Sequence, residues 1–242
     1  VTAVRSKSRK LLSAFVAAMS IIYGANVAAA DEVDLELVLA ADTSISINEP
    51  EYRLQMRGIA NAFRQPVILE MIGAMPKGMA VTMVHWSVGH LNRQAIAWRR
   101  LQSRQSVLAF ANAIERVPRS STGRSTAIGD AIDYCRELID ENGFEANNRK
   151  IDVSGDARSN SGPDPVHARN RAVARGVTVN GLAISGGDRG LFSYYRDRVI
   201  GGPDAFVLAV DGFEDFESAI YQKLLKELSI SALRQARPVT VH

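Results

Sequence analysis

The chain has 242 residues, of which 46% are hydrophobic, 23% charged and 7% aromatic, and its formal charge is +3. These values suit one globular domain of generous size and exclude a disordered tract, a collagen and a disulfide scaffold. The basic excess is local: residues 1–30 hold Arg5, Lys7, Arg9 and Lys10 and no acid, leaving 25 basic against 26 acidic residues beyond them. No nucleic-acid partner is expected of the remainder.

Residues 1–30 read as a secretory signal peptide. A basic start leads into an uncharged apolar run from Leu11 to about Val27, and the small residues Ala28 and Ala30 precede Asp31. The alternative is an uncleaved anchor, but Gly24, Asn26 and the alanines dilute the hydrophobicity that an anchor would sustain. Cleavage after Ala30 would give a periplasmic or secreted protein with no membrane attachment.

From Val33 onward, strand-like and helix-like segments alternate with short connections, which predicts an α/β fold. The expected architecture is one open, doubly wound, mostly parallel sheet with helices on both faces. Strands are expected at 33–40, 79–88, 94–101, 150–154, 177–184 and 205–210. Asn48 and Glu51 have capping-box spacing, and Tyr52, Met56, Ile59 and Phe63 follow on one helical face until Pro66 interrupts the run. A second helix carries Val107, Phe110, Ala111 and Ile114. A third holds Cys135, the single cysteine, among Ile128, Ala131, Ile132, Leu138 and Ile139, which makes it a buried thiol rather than a nucleophile. The fourth starts at Asp164 and Pro165 and ends at Gly176. A short helix over 191–199 precedes a last one, expected to open at Asp211 and Glu214 and to bury Phe213, Phe216, Ile220, Leu224 and Leu228. No linker divides residues 31–228, and the tail 229–242 has no clear period, so it is expected to be loose or lightly docked.

In such a sheet, ligands bind beyond the carboxyl ends of the strands. Three polar clusters fall there: Asp42, Ser44 and Ser46 in a D-x-S-x-S motif, Thr126 in STGRSTAIGDAI, and Asp156 in KIDVSGDARSN. Alone, D-x-S-x-S reads most simply as a helix cap. Together the three clusters supply only small oxygen donors, the chemistry of a hard cation such as Mg²⁺ or Mn²⁺.

The order D-x-S-x-S, then a loop Thr before I-G-D-A-I, then Asp after an apolar strand, resembles a von Willebrand factor type A (VWA) domain over residues 33 to about 228. Among such domains the chain looks most like an uncharacterised group of exported bacterial proteins. The resemblance implies a Rossmann-like fold. It also implies a metal-ion-dependent adhesion site (MIDAS) of Asp42, Ser44, Ser46, Thr126 and Asp156, which grips an Asp or Glu of a partner protein. One departure is that Ala157 follows Asp156 where the family usually has Gly, while Gly155 precedes it.

Other candidates have milder readings. His85 and Trp86 lie inside an apolar strand and read as core. His167 reads as solvated, and Arg93, Arg99, Arg100 and Arg104 as a solvated edge. Two other functions compete with a binding module. A Mg²⁺-dependent, phosphatase-like hydrolase would need an acid at the position of Ser44, and no nucleophile elbow, phosphate loop or dinucleotide fingerprint is present. A structural envelope protein with a vestigial site is the other alternative, motivated by Ala157.

Overall fold

A computed structural model of the chain describes residues 30–120 and 123–235. The segment read as a signal peptide lies outside them apart from Ala30. Six strands form one sheet: β2 (Leu35–Asp42), β3 (Met79–Trp86), β4 (Arg93–Leu101), β6 (Arg149–Gly155), β7 (Val177–Ile184) and β8 (Val207–Val210), in the order β4-β3-β2-β6-β7-β8. All neighbours are parallel except β3 and β4, which are antiparallel. Two short strands that the pattern did not reveal, β1 (Asp31–Glu32) and β5 (Phe144–Glu145), pair beside the sheet.

Helices cover both faces because each central strand is apolar on both. Leu35, Leu37, Leu39 and Ala41 of β2 pack with α1 (Glu49–Arg64), α2 (Pro66–Gly73), α3 (Arg104–Arg116) and α7 (Phe216–Gln235). Val38 and Ala40 alternate with them and face α4 (Ile128–Asp140) and α5 (Pro165–Ala174), together with the residues following α6 (Leu191–Tyr194). Burying apolar side chains on both faces is the main favourable term holding the three layers together.

The capping box at Asn48 and Glu51 forms on both sides, and Pro66 ends α1 by opening a separate helix. Three expectations shift. Strand β2 begins two residues later than its pattern suggested and ends with Asp42 inside the ladder, paired with Trp86. Helix α7 begins at Phe216, not at Asp211, with Ala219 N–H donating to Asp215 C=O. The segment expected to loosen after Ser229 is helical to Gln235, because Ser231 is fully buried and its hydroxyl donates to Glu227 C=O. Among the described residues, no helix is long and apolar enough to cross a membrane.

Candidate metal centre

From β2 the chain winds outward through β3 and β4, then crosses back to β6, β7 and β8 on the other side of β2. The winding direction therefore reverses between β2 and β6, and the carboxyl ends of those strands flank the crevice that such a reversal creates. Asp42 ends β2 and Asp156 directly follows β6.

Asp42 is fully buried. Its Oδ1 accepts from Ser44 N–H at 2.7 Å, which folds the D-x-S-x-S loop back over the strand end. Ser44 Oγ lies 3.0 Å from Ser46 Oγ, and Ser46 Oγ donates to Asp156 Oδ1 at 2.9 Å. Four of the five sequence candidates are thus linked in series, Asp42 through the Ser44 N–H and the rest through side-chain oxygens, the last link joining residues 110 apart in sequence. Thr126 is held instead by the loop that follows Asp156. The Thr126 N–H donates to Asn160 Oδ1 at 2.8 Å, and its C=O accepts from Asn160 N–H at 2.9 Å and from Ser159 Oγ at 3.2 Å. The loop carrying Thr126 also touches the D-x-S-x-S loop directly, through Ile45 N–H donating to Gly123 C=O at 3.0 Å.

Residues that the motif did not flag hold this arrangement. Arg119 donates through one nitrogen to Thr43, Ser44 and Ile47 carbonyls, pinning the loop from below. Gln55, fully buried on the apolar face of α1, donates to Asp42 C=O at 3.1 Å and accepts from Ser154 Oγ at 3.2 Å. A glutamine at a core position of an otherwise apolar helix face is a signal that the sequence did carry. Arg119 sits in a loop and left none.

The electrostatics are unbalanced. Burial, followed by the charge of Asp156, pushes the Asp42 carboxyl up to about 7, and burial also raises Asp156. Asp42 Oδ2 is buried with no hydrogen-bond partner, and among the described residues neither carboxylate forms an ion pair. No group of three or more His, Cys, Asp or Glu side chains among the described residues could hold a metal, so a cation here would depend on hydroxyls beside two carboxylates. That donor set, with two partly or fully buried carboxylates and no ion-paired base among the described residues, fits a hard divalent cation.

The milder readings stand up to the geometry. His85 is fully buried, edge-on to Tyr52, with Nδ1 2.9 Å from Ser120 Oγ, and burial pushes it down to about 4. Cys135 is buried, and burial raises its thiol. His167, Arg93, Arg99, Arg100 and Arg104 are exposed.

Residues 32–232 match the family described as "Protein of unknown function (DUF1194)". The chain belongs to this family. The DUF1194 chain has the VWA fold, and solved structures share it. Proximal thread matrix protein 1 from the mussel byssus matches with a TM-score of 0.62 and 17% identity over 81% of this chain and 47% of that one. Another structure of the byssus protein has a zinc-occupied MIDAS motif. The vWF domain of the type V pili tip protein Mfa5 from Porphyromonas gingivalis matches with a TM-score of 0.59 and 10% identity, covering 86% of this chain and 98% of that one. The minor pilin PilB of Streptococcus sanguinis, as a D319A mutant, matches with a TM-score of 0.59 and 13% identity over 85% and 64%. The DUF1194 chain spans about half the length of the byssus protein, and identities this low establish the fold alone. No curated protein matches it.

Proposed function

We propose that this DUF1194 protein is an exported, non-enzymatic binding module. In this reading Asp42, Ser44, Ser46, Thr126 and Asp156 hold Mg²⁺ or Mn²⁺, and the cation captures an Asp or Glu of a partner protein. One observation carries the reading: a linked series of small oxygen donors at the switch point of the sheet brings together two carboxylates that burial raises and that form no ion pair among the described residues. Three of the five proposed ligands carry neutral hydroxyls, so a cation held there keeps much of its charge for an outside carboxylate. The cation supplies that electrostatic attraction when bound, and the protein supplies its position: Arg119 and Gln55 fix the loop and the strand end, and Asn160 fixes Thr126. The neighbours' descriptions as pilus and byssus proteins favour a partner protein and an extracytoplasmic site. Residues 1–30 are then a signal peptide, residues 31–228 the VWA-like domain and residues 229–242 its C-terminal extension.

The test is affinity capture by the mature protein in millimolar Mg²⁺ and in chelator, with Thr126→Ala alongside. Partners retained only with Mg²⁺, and lost in Thr126→Ala, support the reading. A partner held equally in chelator would show that recognition lies elsewhere on the domain. Mg²⁺-dependent phosphate-ester hydrolysis lost in Asp42→Asn would replace binding with catalysis.

A further inference from the structure

Behind the site lies a group of polar atoms that the motif does not include. Tyr195 follows α6 and opens a wide helical turn over Tyr195–Val199, closed by Ile200 N–H donating to Tyr195 C=O at 3.0 Å. Its ring is fully buried and lies across two adjacent strands at their glycines. A Cβ on Gly181 of β7 would stand 2.9 Å from Tyr195 Cδ1, and one on Gly155 of β6 would stand 2.7 Å from the Tyr195 hydroxyl. The same point above Gly155 lies 3.0 Å from Asp42 Oδ2 and 3.0 Å from Trp86 Cζ2, on the indole edge that carries Nε1. Three side chains from β2, β3 and the turn after α6 therefore converge on the one position in β6 that has no side chain.

Asp42 Oδ2, Tyr195 Oη and Trp86 Nε1 are each buried without a hydrogen-bond partner, and the first two end at that point. One is an acceptor and two are donors, so their chemistry is complementary. Buried polar groups are almost always satisfied, and a donor and an acceptor left unpartnered at one spot point to each other. Tyr195 Oη and Asp42 Oδ2 both lie within 3.0 Å of one point beside Gly155, so they are within about 6 Å of each other, a span that a hydroxyl donor and a carboxylate acceptor close directly or through one water. Phenylalanine would fill the same apolar space without stranding a hydroxyl, so packing alone does not account for tyrosine.

We propose that Tyr195 is a positioning residue of the metal site: its hydroxyl donates to Asp42 Oδ2, directly or through one water, and fixes the carboxylate in the orientation that receives a divalent cation. The inference rests on the metal-site reading above. Ser44 N–H already fixes Oδ1, so the Tyr195 contact settles the remaining freedom of the carboxylate from behind. Gly155 is the residue that lets the contact form, which gives it a role different from that of a glycine after Asp156.

The experiment is Mn²⁺ titration followed by the electron paramagnetic resonance of the free ion, on the full mature chain and its Tyr195→Phe, Gly181→Ala and Asp42→Asn variants, with melting in chelator as the control. Loss of an outer-shell partner of this kind weakens metal affinity by roughly tenfold to a hundredfold. Tyr195→Phe is expected at the lower end of that range, with a melting temperature in chelator equal to or above that of the parent. Gly181→Ala keeps the hydroxyl but pushes the Tyr195 ring at Cδ1, 2.9 Å away, without meeting a site atom, and is expected to weaken Mn²⁺ similarly, which keeps the proposal testable should Tyr195→Phe fail to fold. Parent-like Mn²⁺ affinity in either variant, while Asp42→Asn abolishes binding, would overturn the role of Tyr195 and leave the metal site standing. Tyr195→Phe melting lowered equally with and without Mn²⁺ would make the residue merely structural. A parent chain that binds no Mn²⁺ would overturn the metal site itself and the proposal with it.

Discussion

Strand β6 carries charge at both ends, and the two ends are built on opposite terms. Lys150 and Asp152 face α7, where Lys150 Nζ lies 2.9 Å from Glu227 Oε2, and Lys223 pairs with both Asp152 and Glu227. Asn180 adds a donor to Glu227 at 2.5 Å. Two bases meet two acids, all nearly or fully buried, and the cluster is closed upon itself. Beyond the other end of β6, Asp156 and Asp42 share a crevice with neutral hydroxyls and no ion-paired base. The comparison separates a charge cluster that completes the fold from one that needs something from outside.

The largest expected effect comes from breaking the balanced end. Lys223→Met strands Asp152 inside the sheet and is predicted to cost about 3–5 kcal/mol in urea unfolding, the cost of removing one partner of a buried ion pair. A loss below 1 kcal/mol would mean that the cluster does little for the fold. At the unbalanced end the sign reverses. Asp42→Asn keeps an oxygen for Ser44 N–H and removes an uncompensated buried charge, so at pH 8 in chelator it is predicted to raise stability by about 1–2 kcal/mol.

Glu36 stands between these extremes, buried against the neutral Asn142 with Arg149 nearby, and burial pushes its carboxyl up to about 7. Its folded form holds the proton above the pH at which the unfolded form releases it. Its contribution is therefore favourable below the unfolded value near 4.5 and is lost as pH rises to about 7. Glu36→Gln should remove that part of the slope and gain on the order of 1 kcal/mol at pH 8, read from melting curves at pH 5, 6, 7 and 8. The smallest effect on the fold is expected from the exposed Ser46→Ala, within about 0.5 kcal/mol in chelator, although Mn²⁺ affinity should fall. A larger loss in chelator would mean that the Ser46 link to Asp156 is a structural bond rather than a ligand position.

Much of this was legible in the sequence because it is written in local periods. Each strand and helix period, the Asn48 capping box and each cluster of oxygen donors lie within a few residues. The balanced cluster was half legible: Lys150 and Asp152 share a strand face, and Lys223 and Glu227 share a helix face, each interrupting an apolar pattern. What joins them is a packing contact between elements some 70 residues apart. Tyr195 was legible only as part of a short helix, since its role depends on Gly155, Gly181 and Asp42 meeting across three strands. The start of α7 was misread because Asp211 and Glu214 have capping-box spacing, while the chain turns through Phe213 and begins the helix only at Phe216.

The unbalanced end is tested most directly by thermal melting of the mature chain and its Asp42→Asn variant across Mg²⁺ and Mn²⁺ concentrations and in chelator. A cation held only by the folded state stabilises it by about 2.7 kcal/mol at one hundred times its dissociation constant. The account predicts a metal-dependent rise in Tm for the parent, none for Asp42→Asn, and curves that cross, with the variant the more stable in chelator. A parent Tm that does not respond to millimolar Mg²⁺ or Mn²⁺, with Asp42→Asn the less stable under all conditions, would contradict it.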